Sequence, residues 1–527
     1  MPPPRKHYYT VLLSRPVALH FLLGVHIEIF SFLCYNTLID TRQFSEVIMK
    51  RASGVLAHLS SLYGDYSIGS FGKEAREFAD FLSQGGFTYW QVLPFCMTDD
   101  CHSPYKSYSA FAGNPLFIDL PTLAEQGLLT SQELNEAKQN ESYLCEYSRL
   151  EQERLPLLRL AHERTTDKQR EEIRAWLEDY PDLCRAAEFL ALKQKNRDLP
   201  WYEWTEHTPD EKELSFWQWV QYEFFRQWMA IKKYLNEKGI QVIGDVPIYV
   251  ALDSCDVWAN SEQFQLDENL RPTKVAGVPP DYFCEDGQLW GNPLYNWKQM
   301  KADGYAWWLG RIRYMLTLFD GVRIDHFRGL ESYWSVPATA KTAKEGKWEK
   351  GPGRALIDAM RRIAGDRLII AEDLGEITPQ VHDLLRYSKF PGMRVLQFAF
   401  MGDLKSPHLP HNYPKNCVAY SGTHDNNTLL GYVWEMPPES RARLMSYCNC
   451  QSAEWREACE QIIKTLMASH ADTVIFPVQD IFAYGADTRM NTPGTSTNNW
   501  AYRFTREQLA AVDTEKFRFF NELYGRI

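Results

Sequence analysis

The 527-residue sequence has no run of lysines or arginines, and its charge is weighted the other way: 57 Lys plus Arg against 68 Asp plus Glu, a formal net charge of −11. A field of that sign repels polyanions, which argues against nucleic acid as a partner. There is no C-x-x-C pair either. Of the 11 cysteines the closest two, Cys448 and Cys450, are separated by one residue, a spacing that suits neither a redox pair nor a zinc site. An odd number at irregular intervals reads as reduced, buried thiols of a cytosolic protein. Internal repeats and low-complexity linkers are also lacking, which favours one large fold with insertions over a string of domains.

Long apolar runs are almost absent. The exception, residues 17–39, is interrupted mainly by His20, His26 and Glu28 and is preceded by Arg5, Lys6 and Arg15. One reading is a signal peptide or membrane anchor, but there is no small-x-small cleavage site, and a carboxylate at Glu28 is costly in lipid. The other is a leader, residues 1–48, outside the working fold, with Met49 as an alternative start just before the first patterned segment. What the sequence has in abundance is aromatic residues, including 17 Trp. Flat rings pack against the apolar faces of pyranose sugars, although most such rings serve simply as core.

From about residue 51 onward, short apolar β-rich runs alternate with loops and helical stretches, the pattern of a parallel sheet. Eight candidate strands lie at 54–59, 88–93, 241–245, 321–325, 368–372, 393–398, 417–422 and 473–478. Eight parallel strands with intervening helices predict a (β/α)₈ barrel. The gap between the second and third strands is far longer than one connection needs, and residues 120–239 are predicted to be an inserted helical subdomain. Phe216, Val220, Phe224 and Trp228 recur at four-residue spacing and mark a buried helix face.

Barrel enzymes carry their chemistry at the C-terminal ends of strands. Here the fourth strand ends in GVRIDHFRG, exposing Asp325 and His326; the fifth in LIIAEDLGE, exposing Glu372 and Asp373; and the seventh in VAYSGTHDNN, exposing His424 and Asp425. Single strand-end acids often only cap the next helix, but three over one barrel mouth fit glycosidic chemistry. One carboxylate attacks the anomeric carbon, a second moves the proton of the leaving oxygen, and a third steadies the sugar. Arg323, two residues before Asp325 on the same strand face, would keep that nucleophile ionised.

These strings resemble the catalytic blocks of the amylomaltase (4-alpha-glucanotransferase, disproportionating enzyme) family, relatives of the α-amylases. Further blocks follow in family order: SPYKSYSAFAGNPLFIDL, GDVPIYVALDSCDVW, GVPPDYFCEDGQLWGNPLYNW, EGKWEKGPG, PVQDIFAYG and RMNTPGTSTNNWAYRF. The resemblance implies Asp325 as nucleophile, Glu372 as general acid/base and Asp425 as the third acid. It implies Arg323 and His424 beside the sugar, and Tyr105 stacked on a glucose ring. Ser103, Asp281, Gln288, Trp290 and Asn491 are implied as further sugar contacts. It also implies an α-1,4-glucan donor, a glucose or maltooligosaccharide acceptor, no cofactor and no metal. Departures are Tyr63 where proline is common, Asn498 where glycine is usual, and Met401 where relatives carry a small or acidic residue. The acids alone leave a hydrolase of the α-amylase type and a non-catalytic glucan-binding protein open. Residues 277–297, read as a long aromatic loop stiffened by Pro279, Pro280 and Pro293 and turned at Gly287 and Gly291, favour a transferase by excluding water.

Overall fold

A computed structural model describes residues 50–99, 101–280, 285–400, 402, 405–452 and 454–527. The leader and its apolar run therefore lie outside the described residues. The described chain is built on a closed parallel barrel and a separate antiparallel sheet. In chain order the strands are β1 (Ala52–Leu56), β2 (Tyr89–Gln91), β3 (Gln241–Val246), β4 (Lys274–Val278), β5 (Gln288–Pro293), β6 (Gly321–Ile324), β7 (Ser332–Pro337), β8 (Lys347–Lys350), β9 (Leu368–Ala371), β10 (Gly392–Val395), β11 (Cys417–Tyr420) and β12 (Thr473–Pro477). The barrel runs β1-β2-β3-β6-β9-β10-β11-β12 and closes by parallel pairing of β1 with β12, from Ala52 opposite Thr473 to Leu56 opposite Pro477.

All eight predicted strands are barrel strands. The first begins and ends earlier than the sequence pattern suggests, because the apolar run continues past it: Ala57 and Leu59 are buried without being paired in the strand. Inside the barrel, Leu56, Ile243, Ile370, Met393, Val418 and Ile475 form a packed core, as alternation along parallel strands requires. The neighbouring positions face out toward the helices; Val322 and Ile324 belong to that outer layer.

Between β2 and β3 the chain forms helices at Leu120–Glu125, Ser131–Glu136, Tyr147–Glu163, Asp167–Leu177, Pro181–Lys195 and Glu211–Glu237. The last starts where the Asp210 carboxylate accepts the backbone N–H groups of Lys212 and Glu213, a side-chain N-cap. Its Phe216, Val220, Phe224 and Trp228 are fully buried. Trp228 meets Phe95 edge to face at 4.8 Å, and its indole N–H donates to the Leu318 carbonyl at 2.9 Å. This helix thus packs directly on the barrel wall.

The segment read as a long loop includes, among its described residues, the end of one strand and the whole of another. β4 and β5 are antiparallel and continue into β7 and β8, in the order β5-β4-β7-β8. β5 is an edge strand, exposed at Gln288, Leu289 and Gly291, and it carries Gly291 and Pro293, so it has neither the alternation nor the apolar content that identifies a strand in sequence. Its turn does use glycine as expected: Gly287 has φ +66°, and a Cβ there would lie 2.4 Å from the Val278 carbonyl oxygen.

Candidate active site

The strand ends converge on a cleft of about 610 Å³ at the C-terminal mouth of the barrel. Asp325 and His326 follow β6, Glu372 follows β9, and His424 and Asp425 lie in the turn after β11. All of these line the cleft, as do Ser103, Tyr105, Gln288, Trp290, Arg323 and Asn491. Asp281 lies outside the described residues.

Arg323 organises the site from beneath. It points into the barrel, and its Nη1 donates to both oxygens of Asp245, at 2.8 and 2.6 Å. Its Nη2 lies 3.0 Å from Asp325 Oδ1 and 3.9 Å from Glu372 Oε2. Burial works against this cation, but Asp245, Asp325, Tyr105 and Glu372 surround it and hold its pKa well above the usual arginine value. One guanidinium thus fixes the relative positions of two acids.

Glu372 is placed by backbone as well. His326 N–H donates to its Oε2 at 2.7 Å, and Leu374 N–H to its Oε1 at 3.1 Å. His326 aims its N–H this way because it sits in the left-handed region, φ 49°, which is costly for a non-glycine residue and typical of functional turns. Burial pushes the Glu372 carboxyl up; Arg323 opposes the shift and the charge of Asp325 adds to it, leaving Glu372 at about 8. It therefore holds a proton at neutral pH.

Asp425 is held in the opposite state. Its Oδ2 is 3.3 Å from His424 Nε2, and its Oδ1 accepts from the Asn491 amide at 2.6 Å. Partial withdrawal from water works against its charge, but His424 and Asn491 hold the carboxyl well below the usual carboxylate range. Tyr105 completes this side. Its ring stacks on His424, centroids 5.0 Å apart at 19°, and its hydroxyl donates to Asp245 Oδ2 at 2.9 Å. Two acids in one cleft with their pKa values driven apart form the arrangement that separates a proton donor from a permanent anion.

The structure corrects one strand-end residue and adds others. Asp373 does not face the mouth: it is buried in the wall, where it accepts the Met393 N–H at 2.6 Å and pairs with Arg394 at 3.0 Å. Asp245 was missed, although it stands near the end of β3 and carries the same strand-end signal as the other acids. Trp500, Tyr249 and Phe398 also line the cleft. Replacing Asp245 by Ala leaves Arg323 buried with its bidentate partner gone, a loss of about 3–5 kcal/mol for a broken buried pair. We expect a lower urea midpoint for Asp245→Ala together with a severe loss of activity; an unchanged midpoint would mean that Arg323 is held by something else.

With this geometry in view, the relatives are informative. The sequence signature of the 4-alpha-glucanotransferase family matches residues 57–509. The 4-alpha-glucanotransferase of Thermus thermophilus is 42% identical over 508 residues, covering 91% of this chain and 100% of the relative. That of Clostridium butyricum is 41% identical over 496 residues, covering 89% and 99%. Among solved structures, the amylomaltase from Streptococcus agalactiae in complex with acarbose superposes with a TM-score of 0.87 at 36% identity, covering 90% of this chain and 100% of that one. The chain belongs to the 4-alpha-glucanotransferase family.

Proposed function

We propose that the chain moves a segment of an α-1,4-glucan to the 4-hydroxyl of an acceptor glucose or maltooligosaccharide, by a retaining double displacement through a covalent glucosyl-enzyme on Asp325. The observation that carries the chemistry is the sharing of one Arg323 nitrogen by Asp325 and Glu372. Their facing oxygens can be no farther apart than those two distances together. That bound is compatible with the carboxyl separation of about 5–5.5 Å found in retaining enzymes.

In the first half-reaction, Asp325 Oδ attacks the anomeric carbon while protonated Glu372 gives its proton to the departing 4-oxygen. Asp425 and His424 hold hydroxyls of the sugar being transferred, and the Asp425 anion favours the oxocarbenium-like charge. Once Asp325 is esterified, its charge no longer raises the pKa of Glu372. Glu372 then becomes the base that takes the proton of the acceptor hydroxyl as that oxygen displaces Asp325. Ser103, Tyr105, Gln288, Trp290 and Asn491 are read as sugar contacts on either side of the cleaved bond.

Transfer outruns hydrolysis only if a sugar acceptor is positioned far better than water. Gln288 and Trp290 on β5 lie over the cleft beside His326, with the Trp290 and His326 rings 5.0 Å apart. This supports a covered acceptor site. Residues 120–239 are read as an inserted helical subdomain. The cytoplasm is the proposed location: Cys145, Cys255, Cys417, Cys448 and Cys459 are buried free thiols, which suits a reducing compartment. Among the described residues, no helix is long and apolar enough to cross a membrane.

The test is incubation with maltotriose alone, with products resolved by chain length. A ladder of longer maltooligosaccharides plus glucose, with total reducing ends nearly constant, is expected. Rising reducing ends with only shorter products would make it a hydrolase, and binding without any change would make it a non-catalytic glucan-binding protein.

A further inference from the structure

The block PVQDIFAYG, residues 477–485, puts no side chain on the wall of the catalytic cleft, yet it is bonded to both segments that hold the third acid. β12 runs straight into a short helix, Val478–Phe482, whose Gln479 and Asp480 are each 1% exposed. The Asp480 carboxylate accepts the Ser421 hydroxyl on Oδ2 at 2.5 Å and the Leu429 N–H on Oδ1 at 2.7 Å. Ser421 and Leu429 bracket the turn after β11, and His424 and Asp425 lie between them. One buried carboxylate therefore ties both ends of the turn that carries the third acid.

Gln479, the residue before it, serves the other support of Asp425. Its amide N–H donates to the Thr488 carbonyl at 3.0 Å. The chain leaving Thr488 reaches back to Asp425 twice. The Arg489 guanidinium donates to the Asp425 backbone carbonyl at 3.2 Å, and the Asn491 amide donates to its Oδ1 at 2.6 Å. Asp425 needs these supports because 48% of its side chain is exposed, so core packing does not hold it in place. Asp480 is a costly group to keep. Its two donors are neutral, and burial pushes its carboxyl up to about 7. An apolar residue there would fill the core at less cost, but it would leave the Leu429 N–H and the Ser421 hydroxyl without their acceptor.

We propose that Gln479 and Asp480 are positioning residues for the third acid: from outside the cleft they fix where Asp425 stands against the sugar. The proposal rests on the reading of Asp425 as the acid that steadies the transferred sugar, and adds to it two residues that never touch substrate. Position decides rate here, because a displacement of about 1 Å can cost about 100-fold. Asp425 acts on charge that develops in the transition state, so its misplacement falls on kcat more than on KM.

The experiment follows fluoride release from maltotriosyl fluoride, whose reactive leaving group keeps slow variants measurable, by the full chain and its variants. Asp480→Ala deletes both bonds and is expected to lower kcat about 100-fold, with KM within about threefold. Asp480→Asn can keep both, its oxygen accepting the Leu429 N–H and its amide donating to the Ser421 oxygen, and should stay within about fivefold. In the Asp425→Ala background, Asp480→Ala should cost no more than about threefold further, because no third acid is left to misplace. Gln479→Ala and Ser421→Ala each delete one bond; they are expected to lower kcat about tenfold alone and no more than about twofold beside Asp425→Ala. These two carry the test if circular dichroism shows Asp480→Ala unfolded. Equal losses with and without Asp425, an Asp480→Asn as impaired as Asp480→Ala, or folded variants with normal kcat would overturn the proposal. Near-normal kcat of Asp425→Ala alone would instead overturn the reading of Asp425 beneath it.

Discussion

Replacing Asp325 by Asn is expected to lower disproportionation of maltotriose by roughly 10⁴- to 10⁶-fold, the scale seen when the nucleophile of a covalent mechanism is removed. The fold should survive. Arg323 keeps both of its bonds to Asp245, and an asparagine oxygen still accepts from Nη2. Asp325 is also not deeply buried, with 28% of its side chain exposed, so the substitution strands no charge in the core. Thermal unfolding should therefore shift by no more than a few degrees. Near-normal turnover by Asp325→Asn would remove this residue from its role, whatever else the cleft contains.

Glu372→Gln should separate the two halves of the reaction. With natural glucans, whose leaving oxygen needs a proton, the loss is expected to be about 10²- to 10⁴-fold. With maltotriosyl fluoride, whose leaving group needs none, formation of the glucosyl-enzyme should be nearly unimpaired. Equal losses on both substrates would argue that Glu372 is not the acid. The pH dependence follows from the same residue. Burial, aided by the charge of Asp325 and opposed by Arg323, places Glu372 at about 8, and only its protonated form can act as the donor. Activity on maltotriose should fall as pH rises through about 8, and Glu372→Gln should abolish that alkaline limb. Persistence of the limb in the variant would assign it to another group.

The barrel was legible because its strands are buried on both faces and read as short apolar runs between helical stretches. The antiparallel sheet was not, because an edge strand such as β5 shows its side chains to solvent and carries Gly291 and Pro293. The acids were legible from their places after strands, but strand geometry also explains the error at Asp373. Consecutive residues leaving a strand point to opposite sides, so Glu372 enters the mouth while Asp373 turns into the wall toward Arg394. Asp245 was passed over although it carries the same signal; its bonds to Arg323 on β6 and to Tyr105 in the loop after β2 join segments far apart in sequence and appear only when the barrel closes. The departures from the family pattern have local explanations. Asn498 has φ +61°, a left-handed conformation that asparagine tolerates better than most residues when glycine is absent. Tyr63 is buried and donates to Glu77 at 2.5 Å, and it does not line the cleft. Met401 lies outside the described residues.

The central claim is the covalent bond to Asp325, and it can be trapped. Glu372→Gln should load quickly from maltotriosyl fluoride and unload slowly, because the acceptor hydroxyl then lacks its base. Intact-protein mass spectrometry after mixing should find the chain heavier by one maltotriosyl group, and peptide mapping should place that group on Asp325. An adduct on another carboxylate, or steady turnover of the fluoride with inversion and no adduct, would contradict the double displacement.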